Sequence, residues 1–158
     1  MSRSILSLSK LQTLIVCVTA TIVFSCGGSS EKSDNQNVQE RLTREELKLF
    51  AVGQQLYTRY CINCHMENGQ GLGKLIPPLK GSDYLLNNIL ATSRIIKYGM
   101  KGPIMVNGQE YNQPMPGNPS LTPFEILQLQ VYISNAWGNE AEVLSLEEVK
   151  DYLESNKP

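Results

Sequence analysis

The sequence predicts an all-α fold, and three observations support that prediction. Two segments, which begin at Thr43 and Thr122, open with the residues of a helix start and continue with apolar side chains three and four residues apart. The pattern of residues 41–138 is mostly helical and does not alternate strands with helices. The same residues suffice for one small domain, and no internal repeat is visible.

The N-terminal residues 1–25 have the order of a bacterial lipoprotein signal peptide. Arg3 and Lys10 precede an apolar run from Leu11 to Phe24. This run is shorter than the roughly twenty residues that cross a bilayer, so a permanent transmembrane helix is not expected. The end of the run resembles a lipoprotein cleavage box, in which Cys26 would receive lipid and become the mature N-terminus. We therefore expect an exported protein, lipid-anchored to a bacterial membrane and facing the periplasm, with the choice between inner and outer membrane left open.

Composition divides the rest of the chain into three parts. Residues 26–40 contain one aliphatic side chain, Val38, and predict a flexible tether. Residues 41–138 form the predicted folded domain. Residues 139–158 are an acidic extension, and Ser145 with Glu148 gives it the capping box of a short helix. The residues leave open whether this extension pads the domain or docks a partner.

A first helix is predicted from Arg44 towards Tyr60. Thr43 is a suitable N-cap, and Glu46 completes a capping box. Gly53 interrupts the helix at a cost of about 1 kcal/mol relative to alanine, so a close approach of another backbone is one reason for its presence. The apolar positions of the predicted buried face are Leu49, Val52, Leu56 and Tyr60.

Two cysteines and the single histidine follow this helix in the order Cys61, Cys64, His65. A structural zinc site is one ligand short, because zinc takes four ligands and the predicted domain contains no other cysteine or histidine. The helical pattern disfavours a thioredoxin-like redox pair. Cys-x-x-Cys-His is the attachment signature of c-type haem, in which both sulfurs form thioethers with the haem vinyl groups and the imidazole binds iron. Attachment outside the cytoplasm agrees with the signal peptide.

Around this haem box, from Thr43 to Gly138, the sequence resembles class I cytochromes c. Gly53 and Tyr57 lie eight and four residues before Cys61, and Tyr132 lies on the later helix. The resemblance implies that these three residues let the N-terminal and C-terminal helices cross closely. It also implies a cytochrome c fold, with three to five helices around one covalently attached haem c.

Two further segments complete the resemblance: a proline segment, Pro77 to Gly81, and a methionine loop, Gln113 to Gly117. Pro77 matches the family's proline whose carbonyl accepts a hydrogen bond from the ligating histidine, and Pro78 takes that role if the register shifts by one residue. Met115 lies between two prolines just before the last helix and matches the methionine that binds iron opposite His65.

Other groups compete with Met115 for the distal position. With one histidine in the chain, two-histidine ligation is excluded, and methionine, lysine, water or an external molecule remain. Met66 adjoins His65 and cannot reach the opposite face of the haem. Met100 and Met105 are sterically possible ligands that the family pattern does not support.

Shorter elements are predicted between and after these motifs. One or two short helices should occupy Leu85 to Tyr98, and Asn107-Gly108 should form a tight turn. The last family helix should begin at Pro123 and end near Trp137, with Gly138 as its C-terminal cap.

Two protein ligands leave iron no vacancy, so the sequence predicts an electron carrier and not an enzyme. The carrier would pass single electrons between respiratory or periplasmic redox partners, such as a terminal oxidase, a reductase or a dehydrogenase. Two alternatives stay open. The chain could be the haem-bearing electron-transfer subunit of an oxidoreductase complex, or a gas-binding sensor or peroxidase-like protein with a labile Met115.

The charge distribution bears on partners. The whole chain has a formal net charge of −1, and no basic stripe interleaved with aromatic residues indicates nucleic-acid binding. No small-molecule substrate is expected either. Between Lys48 and Gly138 seven basic residues outnumber four acidic ones. The loop lysines that could steer an acidic redox partner, or simply be solvated, are Lys74, Lys80, Lys97 and Lys101.

Overall fold

The computed structural model describes residues 37–158. The predicted signal peptide, its lipid-accepting Cys26 and the tether up to residue 36 therefore lie outside the described residues. None of the helices in residues 37–158 combines the length and the apolar character that crossing a membrane requires.

The first helix, α1, spans Arg44–Tyr60 and has the predicted bounds. Thr43 accepts a hydrogen bond from the backbone N–H of Glu46, whose side chain accepts one from the Thr43 N–H, so the predicted capping box is confirmed. The predicted buried face is wrong at Val52, which is 38% exposed. The helix is instead buried along the line of Gly53 and Tyr57, because the crossing helix lies against that side.

Helix α5, at Pro123–Ile133, crosses α1 closely at Gly53. A β-carbon on Gly53 would overlap the backbone carbonyl oxygen of Gln128 and lie 2.8 Å from the β-carbon of Tyr132. The ring of Tyr132 lies 5.3 Å from the ring of Tyr57, measured between centroids. The predicted close crossing is therefore confirmed, and it requires glycine.

The prediction that this helix ends near Trp137 is wrong, because α5 ends at Ile133. The backbone N–H groups of Asn135 and Ala136 both donate to the Tyr132 carbonyl, so the chain tightens into turns. Trp137 then takes a φ of 56° and Gly138 a φ of 83°. This left-handed pair turns the indole back onto α1, where it meets Tyr57 at 5.2 Å.

Short elements lie between the two crossing helices. Their helices are α2 (Ile62–His65), α3 (Asp83–Leu86) and α4 (Ile89–Tyr98), the last two in the region predicted to hold one or two. Two antiparallel strand pairs follow, β1 (Gly99–Met100) with β4 (Met115–Pro116) and β2 (Ile104–Val106) with β3 (Gln109–Tyr111). Asn107 and Gly108 join β2 to β3 with φ values of 51° and 77°, so the predicted tight turn is confirmed.

Both ends of the described chain are attached to the domain. Helix α6, at Leu146–Ser155, begins with the capping box of Ser145 and Glu148 and buries Val149 and Leu153 against α4 and α5. Residues 37–41 are helical and Val38 is 5% exposed, so the last four residues of the predicted tether are ordered on the domain. Burial of the tether's single aliphatic side chain explains that correction.

The all-α class is confirmed, because helices form the core and the strands are two or three residues long. Such short strands leave no alternation in the sequence, which is why none was predicted.

Candidate functional site

One helical turn places Cys61, Cys64 and His65. Cys61 ends α1, and its carbonyl accepts hydrogen bonds from the N–H groups of Cys64 (3.1 Å) and His65 (3.0 Å). This turn leaves Cys61 half-buried, exposes Cys64 and buries His65. The two thiols are not joined to each other.

Burial makes Cys61 a poor redox thiol. Removal from water and the neighbouring Cys64 raise the pKa of its thiol to about 12. A thiol with that pKa stays protonated at neutral pH, whereas a thioredoxin-like pair needs a reactive thiolate. The structure therefore adds to the sequence argument against a redox dithiol.

His65 is held by the proline segment. Its side chain is 7% exposed, and its Nδ1 atom lies 3.1 Å from the carbonyl oxygen of Pro77. Burial lowers the pKa of the imidazole, and the contact with Pro77 opposes this effect without cancelling it. Because a carbonyl can only accept, Nδ1 carries the proton, and Nε2 of the neutral ring keeps a free lone pair.

A crevice opens in front of His65. It consists of two adjoining cavities of about 640 Å³ and 470 Å³, one reaching Cys61 and the other Cys64. Because one thiol borders each cavity, a flat group that lies along the crevice could contact both thiols. The residues that line both cavities are His65, Pro77, Met100, Ile104 and Met115.

The walls of the larger cavity suit an apolar ligand. They are formed mainly by aliphatic side chains from α3, α4, α5, β2 and the proline segment, as is typical of cofactor sites. Within residues 37–158, no three His, Cys, Asp or Glu side chains lie close enough together to bind a metal ion. A metal-containing group in the crevice would therefore meet one histidine and mainly apolar walls. Aliphatic residues of the wall are Leu79, Leu85, Ile95, Ile96, Val106, Leu129 and Ile133.

Two methionines share the side of the crevice formed by the β1–β4 pair. Met100 and Met115 are directly paired across these strands, and both line both cavities. Opposed residues of an antiparallel pair present their side chains on one face of the sheet. Met105 is 53% exposed and lines neither cavity, and Met66 ends the α2 turn beside His65.

Two glycines after His65 allow the chain to fold back beneath the crevice. Gly69 and Gly71 have φ values of 68° and 67°, which glycine adopts without strain. A β-carbon on Gly69 would lie 2.6 Å from the indole of Trp137, and one on Gly71 would overlap the Ile76 and Pro77 carbonyl oxygens. Any side chain at Gly71 would therefore displace the carbonyl that His65 contacts.

Aromatic side chains connect this loop to the crossing helices. The hydroxyl of Tyr57 donates to the Met66 carbonyl at 2.6 Å, and the indole N–H of Trp137 donates to the Glu67 carbonyl at 3.0 Å. Burial raises the pKa of Tyr57 above its usual range, so its phenol remains a donor. Sequence reasoning had placed Trp137 at a helix end and missed this role, although it is the single tryptophan of the chain.

The loop lysines differ in whether their side chains are hydrogen-bonded within the domain or exposed. Lys97 donates from Nζ to the carbonyls of Pro119 (2.7 Å) and Leu121 (2.5 Å), so it fastens α4 to the segment before α5. Lys74, Lys80 and Lys101 are exposed. These three lysines, and not Lys97, form the accessible basic set.

Comparisons with known proteins match the part of the chain that contains this site. A protein-family model described as Cytochrome c matches residues 50–137, which include the thiols, His65, Pro77 and Met115. Two Thermus thermophilus proteins named cytochrome c-552 are each 34% identical to this chain over 112 residues. The matches cover 63% of this chain and 82% and 73% of the two relatives.

Proposed function

The chain belongs to the cytochrome c family, and we propose on that premise that it is a monohaem electron carrier and not itself an enzyme. The haem c of this family is covalently attached and supplies a reversible one-electron couple at its iron. The observation that carries the proposal is the crevice itself, in which buried His65 and half-buried Met115 line the same cavities. A single Cys-x-x-Cys-His box accounts for one haem.

Cys61 and Cys64 are the proposed attachment residues. One lines the larger cavity and the other the adjoining smaller cavity, so two thioether bonds can hold a single flat group along the crevice. Thioethers also remove the need for either sulfur to ionise, which suits the raised pKa of Cys61. The exposed side of the group would then lie near Cys64.

His65 is the proposed proximal iron ligand. The Nδ1–H group donates to Pro77 and leaves Nε2 to bind iron. Such a bond fixes the tautomer and orientation of the ring and raises its basicity as a ligand. Pro77 therefore has the role of tuning the iron through His65.

Met115 is the proposed distal ligand. A thioether favours reduced iron, and two protein ligands keep the coordination closed in both oxidation states. Electron transfer then needs little rearrangement, and no position is free for a substrate. Met100, its neighbour across the strand pair, packs beside it in this proposal.

The proposed location is the periplasmic side of a bacterial membrane. Cys26 would carry the lipid, and residues 27–36 would link it to the domain. Replacing Cys26 with serine should abolish the incorporation of labelled fatty acid into the protein. Incorporation that persists in this variant would contradict Cys26 as the lipid site.

The proposed partners are redox proteins such as a terminal oxidase, a reductase or a dehydrogenase. Support comes from the exposed Cys64 edge of the crevice and from Lys74, Lys80 and Lys101, which are exposed in loops. Basic side chains of this kind raise the encounter rate with an acidic surface at low salt. The association rate should therefore fall as ionic strength rises.

The function is tested by a spectroelectrochemical titration of the matured full-length protein. We expect one reversible one-electron transition and no change in the spectrum of the reduced protein under carbon monoxide. Carbon monoxide binding without denaturant would favour a gas-binding or peroxidase-like protein. Constant co-purification with a catalytic subunit would favour a subunit of an oxidoreductase complex.

A further inference from the structure

A buried asparagine outside the family-matched residues contacts the proline segment. Asn139 is 2% exposed, and both ends of its side-chain amide are bonded. Its Oδ1 accepts from the Gly81 N–H at 2.7 Å, and its Nδ2 donates to the carbonyls of Leu79 at 3.0 Å and Ile133 at 2.8 Å. One side chain thus joins the end of α5 to both ends of the Leu79–Gly81 stretch.

The proline segment has few bonds of its own. Pro77 and Pro78 lack N–H groups, so their position depends on anchors on either side. Upstream, Leu72 and Ile76 form an isolated bridge. Downstream, the N–H groups of Leu79 and Lys80 donate to the Gly69 carbonyl. These bonds tie the segment to the loop that follows His65, and not to the helices.

The side chain of Asn139 is the direct hydrogen-bonded link from this downstream end to α5. Its own backbone is fixed, because its N–H donates to Ala136 and its carbonyl accepts from Arg41 Nη2 at 3.2 Å. The anchor therefore belongs to the rigid part of the domain. Its contact Leu79 follows Pro77 closely along the chain, with only Pro78 between them.

We infer that Asn139 is a positioning residue that aims the Pro77 carbonyl at His65 Nδ1 and thereby tunes the proximal ligand. The inference rests on the proposed role of His65 as the iron ligand. Without the Asn139 amide, the proline segment loses its tie to α5 and the hydrogen bond to His65 weakens. A less basic imidazole stabilises oxidised iron less, so the reduction potential rises.

The test compares Asn139→Ala with Asn135→Ala in the matured full-length protein. Asn135 is a matched control because it is equally buried and bonds to Arg41, Val131 and Ala141 but not to the proline segment. Both variants should lose thermal stability. In Asn139→Ala alone the potential should rise, and the His65 Nδ1–H proton should exchange with solvent about five- to tenfold faster, as for a lost hydrogen bond.

Equal changes of potential and ring-proton exchange in both variants would overturn the inference, as would no change in Asn139→Ala. If that variant does not mature, hydrogen exchange in the unaltered protein decides. The hydrogen bonds of the Gly81 amide and of the His65 ring should then open with the same equilibrium constant, once each exchange rate is corrected for the intrinsic rate of its proton. Ring-proton exchange through a separate, more frequent opening would contradict the inference.

The unaltered protein's spectrum separates this inference from the function on which it rests. A spectrum without low-spin, histidine-ligated haem would overturn both the proposed function and the role of Asn139. A normal spectrum together with an unmoved potential in Asn139→Ala would overturn the role of Asn139 alone.

Discussion

The two sides of the crevice are built differently. His65 is buried, lies in a helical turn that continues α1, and contacts a proline segment tied to α5 and to the loop of Gly69. Met115 is half-buried and lies on a strand of two residues paired with another strand of two. The histidine side is part of the core, whereas the methionine side is a small sheet laid against it.

This difference indicates how stability and redox tuning are divided. Substitutions beneath His65 should disturb the whole domain, because its supports are the crossing helices themselves. Substitutions on the Met115 side should change the iron while leaving most of the fold intact. The following substitutions test that division from the largest expected effect to the smallest.

Gly53→Ala should have the largest effect on stability. Its β-carbon would overlap the Gln128 carbonyl, and separating α1 from α5 should lower the free energy of unfolding by about 3 kcal/mol, despite the better helix propensity of alanine. Denaturant unfolding of the matured protein measures the change. Gln55→Ala, an exposed position of the same helix, should alter it by less than about 0.5 kcal/mol. Equal stability of both variants would mean that the crossing is loose.

Gly69→Ala should cost about 2–3 kcal/mol, because strain at positive φ adds to an overlap with the Trp137 ring. Gly73→Ala is the control, since its φ of 53° carries similar strain while a β-carbon there would meet nothing within 4 Å. The difference between the two variants in thermal unfolding isolates the indole contact. If Gly73→Ala is as destabilised as Gly69→Ala, backbone strain alone explains both.

Met115→Ala should lower the free energy of unfolding by only about 1–2 kcal/mol, below the usual cost at fully buried sites. Its effect on the iron should be large, since loss of the thioether lowers the reduction potential and opens the iron to external ligands. Redox titration and carbon monoxide binding measure this change. Met100→Ala is the matched control from the opposite strand and should keep closed coordination. An unchanged potential in Met115→Ala, with a fall in Met100→Ala, would reverse the ligand assignment.

The smallest effect is expected at the start of α5. Hydrogen bonds from the Thr122 backbone and side chain lower the pKa of Glu125, so its carboxylate stabilises the fold above its unfolded-state pKa. That contribution disappears as pH falls through the lowered folded-state pKa. Glu125→Gln should therefore unfold slightly more easily near neutral pH and match the unaltered protein in acid. Unfolding curves of both proteins across this pH range measure the difference in stability between them. A difference that grew on acidification would contradict the account.

The sequence predicted the histidine side better than the methionine side, for physical reasons. The capping boxes are local patterns, and the two helices they predicted begin at the expected residues. The close crossing at Gly53 was implied by the family resemblance, and the structure reproduces it. The β1–β4 pair, which brings Met100 opposite Met115, depends on a contact across a long loop and leaves no periodic signal.

Other misses have the same origin. Val52 follows the helical period, but the direction from which α5 approaches places it in solvent. Trp137 and Asn139 act through turns after α5, where the geometry depends on left-handed residues that a helix pattern does not reveal. Val38 looked like part of a polar tether because a single aliphatic residue cannot show what it packs against.

The most direct test of the central claim is the far-red absorption spectrum of the oxidised, matured protein. Low-spin haem with His65 and Met115 as ligands predicts the weak methionine-to-iron charge-transfer band, and its loss in Met115→Ala but not in Met100→Ala. A high-spin spectrum without the band in the unaltered protein would contradict closed His/Met coordination and, with it, the proposed electron carrier.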